Sequence, residues 1–238
     1  MSTTDALDPV ERISLGDLVA ERIRQAILTG ALRPGQRVTE DELARVLGIS
    51  RSPVRQALIQ LEHEGLIVRE RNQRASVVCM SEEDIEEVCT LRLSLETLAL
   101  ERAMARATAE DIAELEGLFR KYSKCLRSGG PLARLVELDL AFHEQLVHIS
   151  RHSRLLHAWE GIRFQISYLM FTCNIVGESE FPSLCDVWHS EIIEALRRKD
   201  LAHGTQHLRA HLENAYDVFR TRYAQQAIEK QEGRDHAI

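Results

Sequence analysis

Four ionisable residues in the second half of the chain stand where helical periodicity calls for apolar ones. Asp139 and His143, one turn apart, share a face with Leu135, Leu146 and Ser150. His189 shares a face with Ile192, Ile193 and Leu196, and His211 with Leu208, Ala215 and Val218. Burying a carboxylate and three imidazoles is costly unless they are paired or metal-bound, and a cation would convert all four into ligands. Any one of these histidines taken alone also reads as a hydrogen-bonded core residue. His207 competes with His211, which it precedes by one turn near the same stripe, whereas His148, His152, His157 and His203 read as surface or helix-end residues. The alternative chemistry is hydrolytic, since a metal with an open position can activate water. Against it, no His-Glu-x-x-His spacing supplies a general base, and Glu144, directly after His143, should point away from the metal.

The second set of chemically informative residues is arginine. Residues 45 to 74 hold Arg45, Arg51, Arg55, Arg69, Arg71 and Arg74 against Glu62, Glu64 and Glu70, a local charge of +3 in a chain of net −7. At 100° per residue, Val54, Leu58 and Leu61 share one face of a helix, and Ser52, Gln56 and His63 lie opposite. Arg51 at the helix start and Arg55 one turn on can reach into a major groove, where arginine bonds guanine bidentately or holds a phosphate. A solvated face with local ion pairs, for instance to Glu62, is the simpler alternative.

The elements that position these residues are legible from their punctuation. A first helical pattern runs to Thr29-Gly30. Thr39-Glu40-Asp41-Glu42 is a capping box that opens a second helix ending at Gly48, and Ser52-Pro53 opens a third that stops at Gly65. Two short helices joined through Gly48-Ile49-Ser50 predict a helix-turn-helix. Leu66 to Val78 then reads as a β-hairpin with an arginine-rich tip, a wing placed to meet phosphate or a minor groove. Beyond Ser81 helical periods dominate, broken at Thr108, Ser128 to Pro131, Arg151 to Ser153, Gly177 to Pro182 and Lys199-Asp200, which predicts six or seven helices. The expected fold is mainly α, an N-terminal winged helix-turn-helix followed by an all-α bundle. The expected boundaries are 1–78 for the DNA-binding domain, 79–81 for a linker, 82–222 for the helical domain and 223–238 for a polar tail.

Composition narrows the class. The 238 residues are 44% hydrophobic and 28% charged, an ordinary globular balance that argues against disorder and fibrous repeats. Eleven arginines and eleven acids cancel in residues 1–78, so the later residues carry the whole −7 and the basic character is focused. Five cysteines without a Cys-x-x-Cys pair fit a reducing cytoplasm. No apolar run approaches the roughly 18 residues of a membrane helix, and the acidic start lacks the order of a signal peptide. A cytoplasmic protein with no membrane partner is expected.

Several segments together resemble the winged-helix regulators of the GntR type. These are Leu18 to Ile27, Leu32-Arg33-Pro34-Gly35, Thr39 to Ala44, Leu47 to Leu58, and Leu61-Glu62-His63-Glu64-Gly65-Leu66-Ile67. The resemblance implies that Arg45, Arg51 and Arg55 contact operator DNA, that Ser50 and Ser52 bond phosphates around them, and that Asn72, Gln73 and Arg74 make wing contacts. One departure is Ala75, where a glycine is common in the wing. Residues 82 to 222 resemble the helical effector domain of the FadR group, called FCD, through Leu91 to Glu96, Asp139-Leu140-Ala141-Phe142-His143, His189 to Leu196 and Arg209-Ala210-His211-Leu212. His152 stands where an asparagine is frequent. The resemblance places metal ligands at Asp139, His143, His189 and His211 instead of His207, and makes Arg92 a candidate partner for an effector carboxylate; a helix-border ion pair between Arg92 and Glu96 is the other reading.

One carboxylate and three imidazoles suit zinc, nickel, manganese or iron and leave positions open for a carboxylate effector. The expected molecule is therefore not an enzyme. It is a homodimeric repressor of a palindromic double-stranded operator, controlled by a divalent metal ion and a small carboxylic acid. A hydrolase, or a regulator with a purely structural metal, is the rival.

Overall fold

A computed structural model describes residues 14–69, 74–173 and 181–235, with the side chains of 181–182 and 226–235 outside the description. The first helix, α1 (Leu15–Leu28), starts at a box in which Ser14 and Asp17 cap each other's backbone amides. Strand β1 (Arg37–Val38) leads into α2 (Glu40–Leu47), where the Thr39 hydroxyl accepts from the Glu42 amide at 3.2 Å. Gly48 ends α2 at φ 68°, a left-handed conformation that a side chain would oppose. Helix α3 (Arg51–His63) follows, burying Val54, Ala57, Leu58 and Leu61. The wing strands β2 (Ile67–Arg69) and β3 (Ala75–Val77) pair antiparallel, Arg69 opposite Ala75. Ala75 is buried and paired with Val38 as well, so it closes the sheet where the resemblance favours glycine.

The sheet has three strands in the order β1-β3-β2, one more than the expected hairpin. Two residues are too short for an alternation of polarity to reveal, and β1 exists because β3 offers it a ladder edge. The helical domain comprises α4 (Glu82–Arg106), α5 (Ala109–Arg127), α6 (Leu132–Ile149), α7 (Ser153–Thr172), α8 (Phe181–Arg198) and α9 (Leu201–Asp235). These are six helices among the described residues; the breaks at Thr108, Ser128 to Pro131, Arg151-His152 and Lys199-Asp200 fall where expected, while of the break expected from Gly177 to Pro182, residues 177–180 lie outside the described residues and Pro182 lies within α8. The change to polar composition at 223 does not end α9, which continues to Asp235.

The two domains meet along α7. Arg24 of α1 forms a buried pair with Glu64 at 2.6 Å, and its guanidinium lies 4.2 Å above the Phe164 ring. Tyr168 donates its hydroxyl to the Val78 carbonyl at 3.0 Å. Gly65, at φ 71°, is a tight approach, since a Cβ there would fall 2.3 Å from the Gln165 side chain.

Candidate DNA interface and metal centre

Helix α3 presents its arginines as the sequence predicts, and Arg45, Ser50, Arg51, Ser52, Arg55 and Arg74 are all exposed. Asn72 and Gln73 lie outside the described residues. The Ser50 hydroxyl caps nothing in α3, although Ser50 occupies the cap position. Arg51 meets Asp41 at 2.6 Å, and Arg55 meets Glu40 at 3.1 Å, a hydrogen bond that raises the Arg55 pKa. The acid expected to pair with them, Glu62, is taken by Arg69 at 3.0 Å. The partners come from α2 because the tight Gly48 turn lays its acidic first turn beside the start of α3. Exposed pairs of this kind contribute about 0–1 kcal/mol and can give way to phosphate. Between α3 and the wing runs a groove of about 660 Å³, lined by Arg37, Arg55, Arg69 and Arg74 among others. Arg37 was not anticipated, because its place in the groove depends on β1.

The four inward-facing residues converge. Asp139 and His143 come from α6, His189 from α8 and His211 from α9, and their ligand atoms all lie within 4.8 Å of one another. The side chains are at most 2% exposed. The His143 Nε2 lies 2.9 Å from the His211 Nε2 and 3.3 Å from the His189 Nε2. The Asp139 Oδ1 is 3.4 Å, 3.7 Å and 4.0 Å from the Nε2 atoms of His189, His211 and His143. Donors about 2.1 Å from one cation sit roughly 3.0–3.4 Å from each other along the edges of its coordination shell, so the set has the right dimensions. Neither Asp139 oxygen has a hydrogen-bond partner. Burial and the neighbouring His143 and Arg92 charges hold His189 well below the ordinary imidazole value. Burial, with His189, His143 and Arg92, does the same for His211. Burial raises Asp139 against the opposing pull of His143 and Arg92. Three imidazoles around a carboxylate that lacks a hydrogen bond are a donor set that a divalent ion completes.

One member of the site was not recognised in the sequence. Glu96 of α4 accepts from the His143 Nδ1 at 2.5 Å and from the Arg92 Nε at 2.6 Å. An ionised carboxylate only accepts, so the His143 Nδ1 carries a proton and donates it, which leaves Nε2 as the ring atom that faces the centre. Burial works against the Glu96 charge, yet His143 and Arg92 outweigh it and keep the carboxyl below its usual range. The Arg92–Glu96 pair read as a helix-border contact is thus real, but fully buried at 4% and 0% exposure. The Arg92 Nη2 approaches the Asp139 Oδ2 only to 3.9 Å and has no hydrogen-bond partner, while its guanidinium lies 5.7 Å from the Trp159 ring. Trp159 in turn lines an interdomain cleft of about 700 Å³ together with Arg24 and Phe164. His207 points elsewhere, to a separate cluster, and Glu144 bonds Arg163 at 2.5 Å instead of facing the centre.

A winged helix-turn-helix with an exposed arginine face, joined to a helical domain that encloses an Asp/His cluster, defines the class of DNA-binding transcriptional regulators. Residues 15–77 match the model of the bacterial regulatory proteins of the gntR family, and residues 87–214 match the FCD domain. The chain belongs to the GntR family and carries an FCD domain. It is 30% identical to a gluconate operon transcriptional repressor of Bacillus licheniformis over 80% of this chain and 79% of that protein. It is 28% identical to the HTH-type transcriptional regulator YdhC of Bacillus subtilis over 80% and 84%. The solved structure of Escherichia coli McbR/YncC shares the fold at a TM-score of 0.75 and 22% identity, covering 89% of this chain and 100% of that one. These families and relatives are transcriptional regulators, which removes the hydrolase reading. Among the described residues no helix is long and apolar enough to cross a membrane.

Proposed function

We propose that this chain is a homodimeric repressor whose hold on a palindromic operator is set by a divalent cation and a small carboxylate in the helical domain. The observation that carries the reading is the convergence of the Asp139 carboxylate and the Nε2 atoms of His143, His189 and His211 on one enclosed point. When bound, the cation supplies a Lewis-acid position for an anionic ligand, with zinc, nickel, manganese and iron all suited to the donors. The residues have defined tasks around it. Glu96 fixes the His143 tautomer, and Arg92 offers its unpaired Nη2 to the effector carboxylate. Imidazoles that ligate a metal are neutral, so with two carboxylates and one guanidinium the residues carry −1, and a divalent ion would make the centre +1 and receptive to an anion.

The route from the centre to DNA runs through α7. Arg92 lies against Trp159, and five residues along the same helix Phe164 lies under Arg24 of the DNA-binding domain. Effector engagement that moves Arg92 shifts the surface on which α1 rests, and so favours one placement of the two recognition helices over the other. Arg45, Arg51, Arg55 and Arg74 then hold phosphates and base edges, with Ser50 and Ser52 around them and Asn72 and Gln73 in the wing. Relatives named as gluconate operon repressors support the sense of control as repression.

The test is metal analysis of protein purified without added cation, followed by mobility shifts on the DNA beside its gene with small carboxylic acids, with and without chelator. Acid-dependent change in operator binding that chelator abolishes is expected. Operator binding indifferent to every acid and to chelator overturns the sensor; product formed from an acid would restore the enzyme.

A further inference from the structure

A second group of ligating side chains lies outside the buried centre. His203 and His207 occupy one face of α9 a single turn apart, with ring centroids 4.5 Å apart and planes tilted by 59°. Glu191 reaches across from α8, its Oε2 lying 2.7 Å from the His203 Nε2. The three ligand atoms lie within 4.8 Å of one another, and all three residues are half-buried. We propose that Glu191, His203 and His207 form a second, solvent-accessible cation site of the zinc, nickel, cobalt or copper class that fastens α8 to α9.

The local structure builds this site in advance. Lys199 turns the chain at φ 55°, and Asp200 caps α9 by accepting from the His203 amide at 3.0 Å, which sets the phase of both histidines against α8. Two imidazoles at i and i+4 of a helix are a chelate that needs little ordering to bind. Arg198 of α8 is engaged with Glu194 at 2.6 Å and Arg197 with Glu116 and Glu194, which leaves Glu191 to the histidines. A simple Glu191–His203 hydrogen bond accounts for those two residues but not for the third ring brought within ligating distance. On binding, the cation takes the lone pair of the His203 Nε2 in place of the hydrogen bond to Glu191, the neutral ring carries its one proton on Nδ1, and any second proton passes to solvent. Two nitrogens and one carboxylate favour the late transition metals over magnesium and calcium, and water completes the shell. Glu191 lies two residues after His189 and His207 one turn before His211, so a cation here clamps the same helix pair that delivers two residues of the buried centre. The site does not depend on how that centre is read.

The experiment is equilibrium dialysis of the full chain, stripped with chelator and reloaded with zinc, with bound metal counted by mass spectrometry. His203→Gln/His207→Gln is expected to hold one equivalent fewer than wild type. Glu191→Gln keeps a hydrogen-bonding side chain and is expected to weaken that equivalent by at least about ten-fold. His143→Ala is expected to retain it, which separates failure at the buried centre from failure here. Equal zinc content and affinity in wild type, Glu191→Gln and the double variant would overturn the proposal.

Discussion

Arg55 and Arg92 each lie beside a glutamate, and the two pairs are built to opposite ends. The Arg55–Glu40 pair spans 3.1 Å with side chains 62% and 25% exposed, whereas Arg92–Glu96 spans 2.6 Å with 4% and 0%. Water screens the first, so the pair is weak and its arginine can exchange a carboxylate for a phosphate. The second is buried, so each charge there depends on its neighbours, and a change in one is felt by all. The same residue types thus make a surface pair that can exchange partners and an interior pair whose charges are coupled.

The largest expected effect lies in the interior. If a cation is held at a thousandfold above its dissociation constant, stripping it removes about 4 kcal/mol. That lowers the Tm by about 8–16 °C in scanning calorimetry. Asp139→Ala is expected to lose most of that chelator-dependent shift, keeping only what a cation at Glu191, His203 and His207 contributes. A wild-type Tm unmoved by chelator breaks the interior half of the comparison.

Next comes the buried pair at the domain joint. Arg24→Met leaves Glu64 with its hydrogen bond from Gln60 but no opposite charge, and urea titration is expected to show a loss of about 3 kcal/mol. Glu40→Gln, the matching change at the surface, is expected to shift stability by less than about 1 kcal/mol while leaving operator affinity unchanged or tighter. Comparable losses in the two variants would erase the distinction.

A mobility-shift salt series on Arg55→Ala is expected to show a loss of about 1–3 kcal/mol on the operator if the fork reads a base. A phosphate contact would instead weaken all sequences alike and flatten the salt slope by about one. Arg51→Ala sharpens the contrast in the same series, and unchanged affinity in both variants sinks the assignment of α3 as the reading helix.

The smallest effect concerns acid. Burial raises the Asp111 carboxyl, but the Thr108 amide and hydroxyl and the Arg151 guanidinium outweigh it and hold it below its usual range. A folded value below the unfolded one, about 3.9, gives stability that is present above that pH and lost as pH falls through the folded value. Asp111→Asn is expected to cost about 1 kcal/mol or less at neutral pH and to make the acid limb of a stability curve shallower. An acid limb as steep as that of wild type would remove Asp111 as its cause.

The legible features share a local cause. Thr39, Ser81 and Thr108 mark helix starts because a capping hydroxyl bonds an amide three residues away, and Gly48 and Gly65 mark stops because they take positive φ. Asp139, His143, His189 and His211 stand out because charge on an apolar stripe is costly wherever the stripe packs. Glu96 was hidden by its own neighbour, since Arg92 one turn earlier offers a surface pair as a complete explanation. The single signal that could have found it is the apolar company of α4 around it, with Ala99, Leu100 and Ala103 all buried. His203 looked like a helix-end residue for a similar reason, its partner Glu191 lying on a different helix.

Sequence alone determined which residues lie on the same face of each helix, where most of the helices start and stop, and that Arg51 and Arg55 face outward while Asp139, His143, His189 and His211 face inward. Those properties follow from a 3.6-residue period and from backbone groups within a few residues of each other. Tertiary structure alone decided which faces meet. It brought Asp41 to Arg51 and Glu40 to Arg55, paired β1 with β3, set Glu96 behind His143 and placed Glu191 against α9. Contacts between residues tens of positions apart depend on how whole helices pack, and no local pattern carries that information.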